Sequence, residues 1–150
     1  MAAVSLRAQA IRLLARREYA RSELQQKLLA KGGEPDAVCA LLDELIAQGY
    51  LSDARYARVT VAHKSKSFGR RRITESLKAK GVARPDIEAA LTEAALDDDA
   101  VLLALWQRRF GRAPVDARER ARQVRYLQAR GFAVAAILRL LRTCTGRAPS

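Results

Sequence analysis

A chain of 150 residues with 28 basic and 16 acidic side chains carries a formal net charge of +12, and 49% of it is apolar. That length admits one domain or a few very small ones, and the two cysteines exclude a disulfide framework or a zinc cluster. Ala, Leu, Arg, Gln and Glu, all strong helix formers, dominate, and Arg58-Val59-Thr60-Val61 is the only short strand-favouring run, so the expected fold is all-α.

The first helix is predicted from about Ser5 to Arg17, with Leu6, Ala10, Leu13 and Leu14 at helical spacing. After a break at Tyr19-Ala20-Arg21, Ser22 reads as an N-cap with Gln25 three residues on. A second helix then buries Leu24, Leu28 and Leu29 and stops at Gly32-Gly33. Pro35 opens a third helix, whose stripe is Val38, Leu41, Leu42, Leu45 and Ile46. Cys39 in the same run is expected to be a small core residue, and Gly49 ends the helix.

The pattern then restarts. Ser52 is an N-cap with Asp53 in the first turn, and Tyr56, Val59 and His63 share a face of helix four. Phe68-Gly69 takes the place of Tyr19-Ala20. Helix five runs from about Arg70 to Lys80, with Ile73 and Leu77 matching Leu24 and Leu28, and Gly81 matching Gly32. Arg84-Pro85 opens helix six, whose PDIEAAL matches PDAVCAL at an offset of fifty.

A third copy begins at Asp97-Asp98-Asp99, with Leu102, Leu105 and Trp106 on the apolar side of helix seven. Phe110-Gly111 repeats Phe68-Gly69, residues 112–119 are an insertion, and helix eight carries Val124 and Leu127 to Arg130. Helix nine carries Val134, Ile137, Leu138 and Leu141; the tail from Thr143 to Ser150 should fray. The segments LAKG, KAKG and QARG, ending at Gly32, Gly81 and Gly131, set the period near fifty. Such units are near the lower limit for an independent core, so they should stack on their neighbours. The expected architecture is three tandem three-helix repeats, residues 1–51, 52–96 and 97–150, in an elongated, curved, solenoid-like body.

Little in the chain points to catalysis. His63 has no carboxylate or cysteine near it in sequence, and the three aspartates at 97–99 are explained by the dipole of the helix they open. No P-loop, dinucleotide fingerprint or nucleophile elbow occurs. A binding protein without enzymatic activity, metal or cofactor is expected. No basic-then-apolar leader and no apolar run near ~20 residues is present, so a cytoplasmic protein without membrane contact is expected. No heptad seam or long apolar stripe is left over, which points to a monomer.

The charge is uneven. Residues 1–51 carry a net +1, residues 52–96 a net +5 and residues 97–150 a net +6. Lys64, Lys66, Arg70, Arg71 and Arg72 bracket one helix-to-helix turn, and Arg108, Arg109 and Arg112 bracket the matching turn of the third repeat. With Lys78 and Lys80 they are the candidate binding residues for an anionic partner, because arginine forks suit phosphate. The alternatives are solvated faces and the arginine-rich codon usage of a GC-rich genome. Phe68 and Phe110 in those turns read as core plugs before base-stacking platforms.

The central stretch resembles the RecX regulatory family, the modulators of RecA recombinase. The residues that carry the resemblance are GYLSDARYA (49–57), the basic segment with Phe68-Gly69, and LKAKGV (77–82). RREYARSELQQKLLAKG (16–32) is similar to the family's opening helix pair and RYLQARGF (125–132) to its late motif. The resemblance implies a protein that binds the RecA–DNA filament, contacts single- or double-stranded DNA through its cationic face, and inhibits RecA's ATPase, strand-exchange and co-protease activities. It would thereby modulate recombination, DNA repair and the SOS response. Ser52-Asp53 departs from the two acids many members have there; a serine cap serves the helix start equally. The rival from another class is a helix-turn-helix transcription regulator, which would discriminate strongly among DNA sequences.

Overall fold

A computed structural model describes residues 4–145. Among them are nine α-helices and no strand: α1 Leu6–Arg16, α2 Arg21–Ala30, α3 Pro35–Ala47, α4 Asp53–Lys64, α5 Arg70–Ala79, α6 Arg84–Glu93, α7 Asp98–Arg109, α8 Ala117–Ala129 and α9 Val134–Thr145. Two compact units are formed. One holds residues 4–60 together with Leu77–Ala90; the other holds Val61–Ser76 and residues 91–145.

In the first unit α1 packs on α2 and α3, and α2 packs on α3. Ala10, Tyr19, Leu24, Leu28, Val38, Leu42 and Leu45 make its core. The buried arc of α3 runs through Val38, Leu41, Leu42 and Leu45. Cys39 and Ile46 lie together on the flank beyond that arc, since seven residues is nearly two helical turns. Both are exposed, against expectation. α4 also turns differently from its large side chains. Ala57 and Val61 are its buried pair, Tyr56 is half-buried, and Val59 and His63 are exposed.

Helix starts use acids from elsewhere in the chain. Ser22 does not cap α2; Ala20 stands at the cap position and has no acceptor to offer. The Ala20 N–H donates to Glu23 at 3.1 Å, and the Arg21 N–H donates to Asp53 Oδ1, in the first turn of α4, at 2.8 Å. Ser22 donates its hydroxyl to the Lys80 carbonyl instead. The second unit repeats the device: the Arg70 N–H at the start of α5 donates to Asp98 Oδ1 of α7 at 3.2 Å. Asp53 and Asp98 therefore satisfy otherwise orphaned amides at the starts of other helices.

In the second unit α7 and α8 each pack on α9. Leu102, Leu105, Trp106, Leu127, Phe132, Ile137 and Leu141 form the core, and Phe110 packs against it as expected. Val124 is only half-buried; the inward position of α8 belongs to Gln123. Its Oε1 accepts from Trp106 Nε1 at 3.0 Å, and its Nε2 donates to the Arg112 carbonyl at 3.1 Å. α9 continues to Thr145, past the expected fraying point at Thr143; residues 146–150 of that expectation lie outside the described residues. Gly32, Gly81 and Gly131 follow their helices with φ of +92°, +76° and +96°, as the repeated stop predicts. Among the described residues no helix is long and apolar enough to cross a membrane.

Glu23 ties the first unit together. Arg17 Nη2 lies 3.4 Å and Lys80 Nζ 3.3 Å from its carboxylate. Burial works against its charge, but the Ala20 N–H, Arg17 and Lys80 outweigh burial and hold it below the ordinary glutamate value. A depressed folded-state pKa means stability that is present above the unfolded value and lost as pH falls through the folded one. Glu23→Gln should therefore cost about 1–2 kcal/mol at neutral pH. Urea midpoints of the two proteins should converge as pH falls below the ordinary glutamate range; a gap that persists in acid would assign the effect to packing.

Candidate functional site

The second unit gathers most of the candidate cations. Its residues 61–76 and 91–145 contain fifteen basic and seven acidic side chains. In the first unit most arginines are matched: Arg7 with Glu44, Arg17 with Glu23, Arg21 with Asp43, Arg55 with Glu18 and Arg84 with Glu88. Exposed pairs of this kind contribute little stability, but they do neutralise the surface they sit on.

The two basic turns meet within the second unit. Arg108, in the last turn of α7, donates through Nη2 to the Lys66 carbonyl at 3.2 Å. Lys64 donates to Ser76 Oγ at 2.8 Å and lies 5.9 Å from the centre of the Phe68 ring. Arg70 and Arg72 are exposed, and Arg71 is exposed beside Glu75, 3.5 Å away. Arg109 stacks over Tyr126, at 5.0 Å, and over Phe110, at 5.6 Å. Arg112 is exposed, its backbone held by Gln123. In the first unit Lys80 is engaged by Glu23, and Lys78 is exposed in the last turn of α5.

Backbone contacts hold these turns in place. The Gly69 N–H donates to the Arg130 carbonyl at 2.8 Å, and a Cβ on Gly69 would lie 2.6 Å from the Gly131 oxygen. Only glycine at both positions lets the start of α5 and the turn after α8 approach this closely.

Sequence reasoning missed Arg130 and Tyr126. The Arg130 guanidinium lies 4.9 Å from the Phe68 ring centre and 5.2 Å from that of Tyr126. Tyr126 meets Phe110 edge-on at 5.4 Å. Cations on ring faces are favourable electrostatically, and the half-buried Phe68 has two of them, Lys64 and Arg130. A signal was present: Lys31, Lys80 and Arg130 all directly precede a helix-stop glycine, so each repeat carries a cation there.

The chain matches the models of all three RecX three-helix domains: the first over residues 7–45, the second over 52–91 and the third over 97–141. It belongs to the RecX family of regulatory proteins. It is 47% identical over 140 residues to regulatory protein RecX of Pseudomonas savastanoi pv. phaseolicola, covering 92% of this chain and 90% of that one. It is 40% identical over 139 residues to that of Leptothrix cholodnii, covering 93% and 88%. In structure it is similar to RecX from Lactobacillus salivarius, with a TM-score of 0.76 at 20% identity over 93% of this chain and 94% of the other. A second RecX crystal structure aligns with a TM-score of 0.72 at 21% identity, over 92% of this chain and 73% of that one. The candidate cations Lys64, Lys66, Arg70, Arg71 and Arg72 fall in the second RecX domain, and Arg108, Arg109 and Arg112 in the third.

Proposed function

We propose that this protein is a non-enzymatic, monomeric cytoplasmic regulator that binds the RecA–DNA filament and inhibits its ATPase, strand-exchange and co-protease activities. Membership of the RecX family supports the regulatory role. The observation that carries the binding face is the junction of the two basic turns, where Arg108 reaches the Lys66 carbonyl. Lys64, Lys66, Arg70, Arg71, Arg72, Arg108, Arg109 and Arg112 are the assigned contacts, with Lys78 and Lys80 further ones on the first unit. Phosphates and acidic side chains of a filament would each form charge-assisted hydrogen bonds with them.

RecA ATPase on single-stranded DNA, with the protein titrated in, tests the reading. The variant Arg70→Ala/Arg71→Ala/Arg72→Ala should remain folded, since exposed cations and one i,i+4 pair contribute little. If it forfeits two charge-assisted contacts of about 1 kcal/mol each, half-inhibition should need roughly thirty-fold more protein. Arg7→Ala/Arg12→Ala should change inhibition less. Inhibition that survives the first variant and disappears with the second would move the functional face to the first repeat.

A further inference from the structure

We propose that the outward face of α8 is a second anion-binding surface, a rail of arginines that follows the phosphates of a single nucleic-acid strand. Arg118, Arg122 and Arg125 are exposed, and none belongs to the two basic turns. Successive residues advance 100° around a helix, so these three fall within an arc of about 60°, opposite the buried Leu127, and span about 10 Å of helix axis. With Asp116 and Glu119 they line a concavity of about 530 Å3.

The two acids in that concavity are committed to the helix start. Asp116 Oδ1 accepts the Glu119 N–H at 2.8 Å, and Glu119 Oε2 accepts the Val115 N–H at 3.4 Å. No carboxylate among the described residues pairs with the three arginines. The arrangement also works against the helix. Arg118 sits in the first turn, where the dipole disfavours a cation, and Arg118–Arg122 is a like-charged i,i+4 pair. Elsewhere the same spacing carries opposite charges, as in Arg71–Glu75 and Arg84–Glu88. A bound polyanion would relieve both penalties together.

The face also selects among anionic partners. Beside the arginines its apolar residues are Ala121 and Ala129, with Glu119 at the rim and the exposed Val115 at one end, just ahead of the helix rather than at the centre of the face. A protein interface needs aromatic or large apolar anchors near its centre, and an anionic membrane needs apolar side chains to insert. A phosphate backbone needs neither, because its affinity comes from charge neutralisation and counterion release. α8 also carries its basic charge on arginine alone, with no lysine from Ala117 to Ala129, which suits bidentate contact with phosphate oxygens.

This deepens the proposed regulatory reading, and its test uses DNA without RecA so that the two can fail separately. Binding of the full chain to fluorescein-labelled oligothymidine of about 30 nucleotides is followed by anisotropy across roughly 50–200 mM salt. Arg118→Gln/Arg122→Gln/Arg125→Gln should bind at least about ten-fold more weakly at the middle of that range, with the slope of log affinity against log salt shallower by about 2. Glutamine keeps helix propensity, and circular dichroism checks the fold. The matching lysine variant should keep most of the slope, since the slope counts charges. Unchanged affinity and slope in the glutamine variant would overturn the rail, as would a wild-type protein that binds no DNA. If DNA binding were unchanged but inhibition of RecA ATPase lost, the face would meet an acidic protein surface instead; the phosphate assignment would fall and the regulatory reading would stand.

Discussion

Gly131→Ala is expected to destabilise the protein by about 3 kcal/mol or more, far beyond the usual loss at a helix-stop glycine. With φ at +96°, a side chain there already costs on the order of 1–2 kcal/mol. The new Cβ would also lie 2.4 Å from Arg72 Cβ and 2.6 Å from the Arg72 backbone nitrogen. Those atoms belong to the first turn of α5 and cannot rotate aside, so relief requires moving a helix terminus whose Gly69 N–H is bonded to the Arg130 carbonyl. Gly32 supplies the internal control. Its φ is +92°, but no atom lies within 4 Å of where its Cβ would stand, so Gly32→Ala should lose only about 1 kcal/mol. Urea denaturation of the two variants separates conformation from close approach. Equal losses would mean that α5 and the turn after α8 do not touch.

That contrast marks where sequence reading succeeds and where it stops. Gly32, Gly81 and Gly131 are identical as sequence signals, and the recurring stop placed all three helix ends. What differs is the neighbour each one meets, which depends on contacts across tens of residues. The same limit explains Ser22. A serine before an apolar run is a sound local cap, but the structure starts α2 two residues earlier, with Ala20 at the cap and Asp53, thirty-two positions from Arg21, taking the Arg21 N–H. Periodicity found the buried stripe of α7, and that of α3 apart from the exposed Ile46, because large apolar residues mark them. In α4 the face it marked with Tyr56, Val59 and His63 is not the buried one: the inward residue Ala57 is small, and Val59, larger, is exposed. Ala95, with φ of +49°, follows α6 without the glycine that ends α3, so that end had no sequence mark. For the candidate site, charge counting found both basic turns, whereas Arg130 and Tyr126 became visible only once Phe68 was placed beside them.

Gln123 exemplifies a residue whose role follows from a broken repeat. Leu24 and Ile73 occupy the equivalent inward positions of α2 and α5, and both are fully buried. Gln123 is equally buried but polar, and each end of its amide has a partner: Trp106 Nε1 and the Arg112 carbonyl. Gln123→Leu restores the apolar residue of the other repeats, yet it strands a buried indole N–H and a backbone carbonyl. Each orphan costs about 1–3 kcal/mol, against a gain near 1 kcal/mol from added apolar burial, so a net loss of roughly 2 kcal/mol is expected. Gln123→Ala loses the same bonds and leaves a cavity, for about 3–4 kcal/mol. The cause can be isolated with Trp106→Phe, which removes the indole donor. In that background Gln123→Leu should be milder by on the order of 1 kcal/mol, a coupling read directly from the double-mutant cycle. Additive losses would show that the Trp106–Gln123 bond contributes nothing net. Because the same amide holds the Arg112 carbonyl, Gln123→Leu should also loosen the connection from α7 to α8, and with it one of the arginines assigned to the filament.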